Sequence, residues 1–290
     1  MLPLVLLQHG LLLSPDAAVL RVRDAKSRVE CVLVGTMHYN PASIALAKAT
    51  VSLEAESGRL RAVAVESCPT RWNATGSIDQ LRSLTRTLCY NEMQAAAEAG
   101  EAWSVPLVLA DQPIESTGRR ATQILALTLA QLATPWAGGW SSIGEDLAVS
   151  LEHVKGDDGR MRPGALFNLP LLVNAPVSLF RYPLAIVLKQ PLAMLPLALI
   201  AVLLSLPPEV PAQDVNVLTE VLGASAILAL ETVILGRLLL VGLLEERNYV
   251  LARNIREACL RAKPGGSVVA VLGMAHCNGV ASLLKQSRIM

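Results

Sequence analysis

Four short apolar runs constrain the fold of this 290-residue chain more than any other feature. Each run is rich in β-branched residues and stops at a glycine or a polar residue, which is typical of strands that are buried on both faces. Helical spacing of apolar residues over 43–56 and 77–101 separates the first three runs. This alternation predicts an α/β fold with a parallel-rich central sheet and flanking helices. The predicted strands are 28–35 (RVECVLVG), 60–67 (LRAVAVES), 105–111 (VPLVLAD) and 266–273 (GSVVAVLG).

Two long apolar segments, 183–206 and 221–244, lie before the last strand and are separated by a proline-rich break. They predict an apolar helical hairpin over 183–244, inserted in a single domain that covers 1–290. The second segment is long enough to cross a bilayer, but Glu231 and Arg237 lie inside it, and each costs about 2.5–3.5 kcal/mol at the bilayer centre. Because a helix that is apolar all round is buried in protein or lipid, two interpretations stay open: a membrane-associated hairpin and a soluble helical cap over the sheet.

Two other segments carry weaker signals. Residues 138–170 are rich in glycine and charge and are expected to form a loop or linker. The N-terminal segment 1–13 (MLPLVLLQHGLLL) is apolar, and no Lys or Arg precedes its apolar run. It is therefore expected to be a strand or a packing segment rather than a signal peptide.

Charge and cysteine content exclude several functional classes. The net charge is only +1, no Lys or Arg cluster is present, and aromatic residues make up only 3% of the chain, so no nucleic-acid partner is expected. The five cysteines are odd in number and form no CxxC pair. They indicate a reducing compartment rather than a disulfide framework or a zinc ribbon.

Polar side chains follow each predicted strand, and the carboxyl ends of parallel strands meet at one edge of a sheet. The first and last runs continue as GTMH and GMAH, so His38 and His276 each lie three residues after a glycine, and the other two runs deliver Glu66 and Asp111. Two imidazoles and a carboxylate suit a divalent transition metal. The glycines are expected to let the chain turn sharply as it leaves each strand. In the alternative interpretation, both histidines bond only to backbone at the strand ends.

Charged partners for this edge are also present in the sequence. Arg71 lies five residues after Glu66 and is a candidate salt-bridge partner for it. Arg247 falls on the apolar face of a helix predicted over 243–262, where a guanidinium needs a carboxylate or an anionic substrate group unless its head reaches solvent. Asp111 either belongs to the site or orders the start of the following helix, which carries Arg120.

These motifs together resemble the TraB/PrgY family, which is related to the TIKI metalloproteases. The resemblance covers residues 28–135 and 243–282 and is carried by VGTMH, VESCPTR, ADQPIESTGRRA, EERNYVLARNI and VLGMAHCNGV, in the family's order. It implies a metal-dependent hydrolytic site in which His38, His276 and Glu66 hold a divalent ion such as Mn, Co or Zn. It further implies supporting roles for Arg71, Arg120 and Arg247. In the resulting hydrolase hypothesis, Asp111 positions a group or accepts a proton, and the substrate is a peptide or protein.

Members of this family are often attached to membranes, including mitochondrial and other organelle membranes, so the resemblance implies a membrane location. The chain also departs from the family pattern. Gln112 stands where the third motif usually has arginine, and Asn248 stands where the fourth usually has aspartate. One lost charge of each sign predicts that an ion pair has been replaced by a Gln112–Asn248 amide pair. Two functions stay open: a metal-dependent hydrolase, and a catalytically silent membrane tether or binding protein.

Overall fold

The computed structural model describes residues 18–79, 88–154, 161, 168–189 and 217–289. The N-terminal apolar segment and residues 190–216, which include the proline-rich break, lie outside the described residues. Five strands form one mixed sheet in the order β1-β2-β5-β3-β4. The strands are β1 (Val19–Arg23), β2 (Glu30–Thr36), β3 (Leu60–Val65), β4 (Leu107–Leu109) and β5 (Ser267–Gly273).

Helices flank this sheet on both faces and also extend beyond it. A π-helical segment, Leu238–Glu245, joins two of them without a break. The α-helices are α1 (Pro41–Glu56), α2 (Pro69–Asp79), α3 (Glu92–Glu101), α4 (Ile114–Leu132), α5 (Gly139–Val154), α6 (Leu169–Val173), α7 (Ala175–Lys189), α8 (Val217–Arg237), α9 (Glu246–Arg261) and α10 (Met274–Lys285).

The sheet confirms the predicted α/β architecture. β2, β5, β3 and β4 are parallel, and only the edge strand β1 is antiparallel to its neighbour. β5 is last in the sequence but lies between β2 and β3, and all seven of its residues are buried. Leu251 and Ile255 of α9 pack on one face of the sheet, whereas Ala47 and Val51 of α1 pack on the other. Burial on both faces explains why these strands are almost continuously apolar.

Two predicted elements differ from the structure. The expected loop at 138–170 is wrong over its first half, because α5 occupies 139–154 and buries Ile143 and Ser150 on one face. The helix predicted over 77–101 is interrupted at Asn91. This residue adopts an extended backbone, and its side chain accepts hydrogen bonds from the backbone N–H groups of Met93 and Gln94. The resulting capping box starts α3 at Glu92, although the apolar spacing continues through it.

One helix of the described part of the chain, Val221–Arg261, is long and apolar enough to cross a membrane by length and composition. It runs through α8, the π-helical segment and α9, so the predicted apolar helix before the last strand and helix is confirmed. Only 11% of its most apolar stretch is buried, and residues 221–232 are exposed. This half of the helix therefore does not pack on the sheet as a soluble cap. The predicted start of the insertion, residue 183, lies within α7.

Candidate functional site

The carboxyl edge of the sheet brings together His38, Glu66, Asp111 and His276, which the sequence placed at four strand ends. Parallel pairing sets Thr36 of β2 opposite Gly273 of β5, so the two GxxH segments leave neighbouring strands at the same level. The backbone N–H of Glu66 donates to the carbonyl of Val271 at 3.1 Å, which places this residue beside the end of β5. His38 lies in the turn after β2, whereas His276 lies in the first turn of α10.

Glu66 is the centre of this arrangement. Its side chain is almost fully buried, and its Oε2 accepts a 2.6 Å hydrogen bond from the backbone N–H of Gly273. Its Oε1 lies 2.5 Å from Nη2 of Arg247 and 3.4 Å from Nε2 of His276. Burial opposes ionisation, but His276, which is protonated at the low pH where Glu66 titrates, and the guanidinium of Arg247 lower the pKa of Glu66 to about 2. This side chain is therefore a buried carboxylate at neutral pH.

Both histidines are oriented through Nδ1 by another side chain. Nδ1 of His38 lies 2.6 Å from Oε1 of Glu92, whose Oε2 accepts the backbone N–H of Tyr39 at 3.0 Å. Nδ1 of His276 lies 2.7 Å from Oδ1 of Asn248. The interpretation that the histidines bond only to backbone is therefore wrong. Hydrogen bonding at Nδ1 leaves Nε2 of each ring available, as in histidines that bind metals.

The two histidines differ in charge. Burial lowers the pKa of His276 by more than the nearby Glu66 carboxylate raises it. Burial also opposes charge on His38, but the hydrogen bond to Glu92 and the negative charges of Glu92 and Glu66 together outweigh it and raise the pKa of His38 to about 9. At neutral pH and without metal, His276 is therefore neutral and His38 is an imidazolium, which must release its Nε2 proton before that nitrogen can bind a metal.

The glycines of the GxxH segments provide space rather than a special backbone conformation. Gly273 has φ −56°, and the left-handed turn after β2 falls at Tyr39, with φ 59°. A Cβ atom on Gly273 would lie 3.2 Å from Oε2 of Glu66 and 3.4 Å from Nε2 of His38. The expectation that these glycines turn the chain is therefore wrong, because what the site needs at 273 is room between its polar atoms.

Arg247 and Arg71 form a chain of ion pairs with two carboxylates across the edge. Nη2 of Arg247 bridges the two carboxylates, at 2.5 Å from both Glu66 Oε1 and Asp111 Oδ2. Arg71 also donates to Asp111, so the expected Arg71–Glu66 pair is replaced by an Arg71–Asp111 pair. Arg120 lies away from this chain on the exposed face of α4, where it binds Glu246 through hydrogen bonds of 2.7–2.8 Å.

The predicted amide pair does not form. Gln112 donates to Thr117 Oγ1 at 3.0 Å, whereas Asn248 accepts from His276. Asn248 is instead the hydrogen-bond partner of a site histidine. Sequence reasoning missed this role, and it missed Glu92 completely. Glu92 lies inside an alanine-rich helical pattern, and nothing local distinguishes a buried carboxylate there from a solvent-exposed one.

A second layer covers His38. The ring of Tyr182 stacks on the His38 ring with a 5.8 Å distance between centroids, and Ser178 donates to the His38 carbonyl. Both residues belong to α7. The beginning of the predicted apolar insertion therefore lies in a helix that helps to build the site.

A metal ion suits these residues by donor chemistry. With its Nδ1–H donated to Asn248, neutral His276 points the lone pair of Nε2 at a carboxylate oxygen 3.4 Å away. Two facing electron-pair donors are stabilised by a cation, and the space beside Gly273 lies next to both Glu66 and His38. Within the described residues, however, no group of three His, Cys, Asp or Glu side chains is already spaced to hold a metal. The guanidinium of Arg247 supplies positive charge to Glu66 in this arrangement.

Fold and site together define an α/β protein with two histidines and a buried carboxylate at the carboxyl edge of its sheet. No protein-family model matches this chain, and no characterised protein matches it in sequence.

Proposed function

We propose that this protein is a metal-dependent hydrolase related to the TraB/PrgY family, with His38, Glu66 and His276 as the ligands of a divalent Mn, Co or Zn ion. One observation carries the proposal: two imidazoles are fixed through Nδ1, Nε2 of His276 lies 3.4 Å from the buried Glu66 carboxylate, and the space beside Gly273 borders both Glu66 Oε2 and His38 Nε2. When bound, such an ion polarises a carbonyl and lowers the pKa of a bound water. The family resemblance supports a peptide or a related amide as the substrate.

The remaining polar residues of the edge have distinct roles in this proposal. Asp111 is a positioning residue, because its oxygens already accept from Arg71, Arg247 and the backbone N–H of Gln112. It fixes the two guanidinium groups rather than accepting a proton from substrate. The Arg71 side chain is 32% exposed, against 14% for Arg247. Arg71 is therefore the cation that binds a substrate carboxylate or stabilises an oxyanion.

Arg120 has a different role, because its guanidinium is held by Glu246 at the start of α9. It joins α4 to the helix that carries Arg247 and Asn248. We assign it to positioning of α9 rather than to contact with substrate.

The proposed location is a membrane, with the apolar helix as the anchor. A mitochondrial or other organelle membrane follows from the family resemblance, and a reducing compartment is consistent with five buried cysteines that form no disulfide.

A second function, a catalytically silent membrane tether, is favoured by one specific observation. Arg247 and Arg71 together balance the charges of Glu66 and Asp111 without any metal, so the edge is electrostatically complete as a salt-bridge network. A binding protein could retain that network for stability alone.

Metal content separates the two functions. Full-length protein is purified in detergent, stripped with chelator and titrated with Mn²⁺, Co²⁺ and Zn²⁺ by calorimetry, and hydrolysis of labelled casein is measured in parallel. We expect one site, lost in His38→Ala and His276→Ala.

Gly273→Ala fills the space beside Glu66 and is expected to weaken metal binding by about tenfold or more. Gly118→Ala is the matched control, because a Cβ atom there meets nothing within 4 Å and affinity should not change. Absence of metal binding by the wild-type protein would support the tether and contradict the hydrolase.

A further inference from the structure

A three-helix projection leaves the carboxyl edge of the sheet. α4 and α8 are antiparallel within it, because Arg120 binds Glu246 near the sheet whereas Gln131, more than two turns further along α4, binds Arg237. α5 returns beside them, and its Ser150 donates to Glu245 at 2.5 Å. The α4–α5 turn thus forms a tip on the side of the projection that lies away from the sheet.

Arg237 fixes the candidate membrane helix to this hairpin. Its side chain is only 2% exposed, and it donates to Asp146 of α5 as well as to Thr128 and Gln131 of α4. A charge that disfavours a lone helix in lipid is therefore satisfied by neighbouring helices. It follows that α4 and α5 accompany α8 as it approaches the bilayer.

The tip of the hairpin carries two prominent tryptophans. Trp136 is 82% exposed and Trp140 is 62% exposed, and residues 121–144 around them contain no charged side chain. Exposed tryptophans of this kind concentrate at membrane–water interfaces, where the ring meets the acyl chains and the indole N–H meets polar groups. The tip and α8 both expose apolar side chains, so a single bilayer can cover both surfaces.

Charges on the projection limit how deeply it can enter. Glu145 and Glu152 of α5 are exposed on the stretch between the tip and the sheet. Glu231 of α8 is also exposed, and it lies six residues beyond Arg237, on the side away from the sheet. The α4–α5 turn with Trp136 also lies on that side of the Arg237–Gln131 contact, and Trp140 donates its indole N–H to the carbonyl of Leu132 at the end of α4. Beyond Glu231, residues 221–230 of α8 are uncharged and exposed.

We propose that the membrane–water interface lies at the level of Trp136, Trp140 and Glu231, so that the α4–α5 turn rests on the bilayer as a second contact beside the α8 anchor. The inference rests on the membrane attachment proposed above. Sixteen residues separate Glu231 from Arg247, which is about 24 Å at 1.5 Å per residue. The site therefore faces the membrane from roughly that height, and it meets substrates that protrude from the bilayer.

Tryptophan quenching tests the proposed depth. The full chain is reconstituted into phosphatidylcholine liposomes brominated either near the headgroup or near the acyl-chain ends. We expect strong quenching by the shallow bromines and weak quenching by the deep ones, and we expect the Trp136→Phe/Trp140→Phe variant to lose most of the shallow quenching. Trp103→Phe is the matched control, since this 50% exposed residue precedes β4 at the opposite edge of the sheet.

The possible failures are distinguishable. Stronger quenching of Trp136 and Trp140 by deep bromines would overturn the proposed depth, because the hairpin would then be embedded. Liposome-bound protein without quenching would overturn the second contact and would indicate a protein partner or a second copy at the tip. Protein that does not float with liposomes would overturn the membrane attachment itself. None of these readouts depends on hydrolysis.

Discussion

The sheet edge buries polar and charged side chains, whereas the helical projection exposes apolar ones. At the edge, Glu66, Asp111 and His276 are buried charged or polar groups, each held by a side chain of opposite charge or by a hydrogen bond. On the projection, Leu222 and Leu228 of α8 are more than 60% exposed apolar groups. A soluble surface rarely exposes a contiguous apolar face of this kind. The two regions therefore suit different surroundings: the edge is a polar network inside protein, whereas the projection exposes a helix that is long and apolar enough to cross a membrane.

Removing the central cation of the edge gives the largest expected effect. Arg247→Met leaves Glu66 without its ion pair and Asp111 with Arg71 alone, and an uncompensated buried charge costs about 3–5 kcal/mol. The free energy of unfolding, measured by urea titration in detergent, should fall by that amount. Arg261→Met lies on the same helix but is 75% exposed, and it should cost no more than about 0.5 kcal/mol. Equal effects of the two substitutions would contradict the view that charge pairing holds the edge together.

A change of pH tests the contribution of the His38–Glu92 pair to stability. In metal-free protein, the pKa of His38 is raised from 6.5 to about 9 by Glu92, so the folded state binds the proton more tightly than the unfolded state. The stabilisation is fully present below pH 6.5 and is lost as pH rises through 9.

We expect a loss of about 2 kcal/mol between these limits, allowing for the partial exposure of the ring. Unfolding free energies measured across this range should show the loss in the wild-type protein and only a residual slope in Glu92→Gln. A slope that persists in Glu92→Gln would assign the effect to another group.

Unpairing the single buried arginine of the projection gives the smallest effect. Asp146→Asn leaves Arg237 with neutral partners only, and since the Asp146 side chain is 45% exposed we expect a cost of about 1 kcal/mol. Arg237→Met should cost less, because it removes the buried charge instead of stranding it. Thermal melting in detergent compares both with Glu145→Gln, whose residue contacts only Ser141 on the exposed face. A larger loss of thermal stability in Arg237→Met than in Asp146→Asn would show that the charge of Arg237, rather than its packing, stabilises the projection.

Local patterns were sufficient to predict the sheet and the strand ends. The four runs are apolar because both faces are covered, and parallel pairing then brings His38, Glu66, Asp111 and His276 to one edge. β1 was missed because an edge strand that is half exposed lacks a continuous apolar run. The end of the predicted helix at Asn91 was missed because a side-chain cap outweighs apolar spacing.

Pairing between distant residues was the harder part. The sequence suggested Arg71 as partner of Glu66 and Gln112 as partner of Asn248, since both choices fit charge and motif. In the fold, Glu66 pairs with Arg247 instead of Arg71, and Asn248 is hydrogen-bonded to His276 instead of Gln112. Such choices depend on ångström-scale placement of α9 across the sheet edge, which no local pattern encodes.

The position of β5 in the sheet also determines when the sheet can form during synthesis. This strand fills the gap between β2 and β3, but it is synthesised after the apolar helix α8. Until then β2 and β3 each present an unpaired edge, and Glu66 lacks both the Gly273 amide and His276. The apolar helix therefore emerges before the sheet can close. A chain that stalls before residue 267 contains the apolar helix but cannot assemble the site, so assembly of the site requires that synthesis has passed β5 and His276.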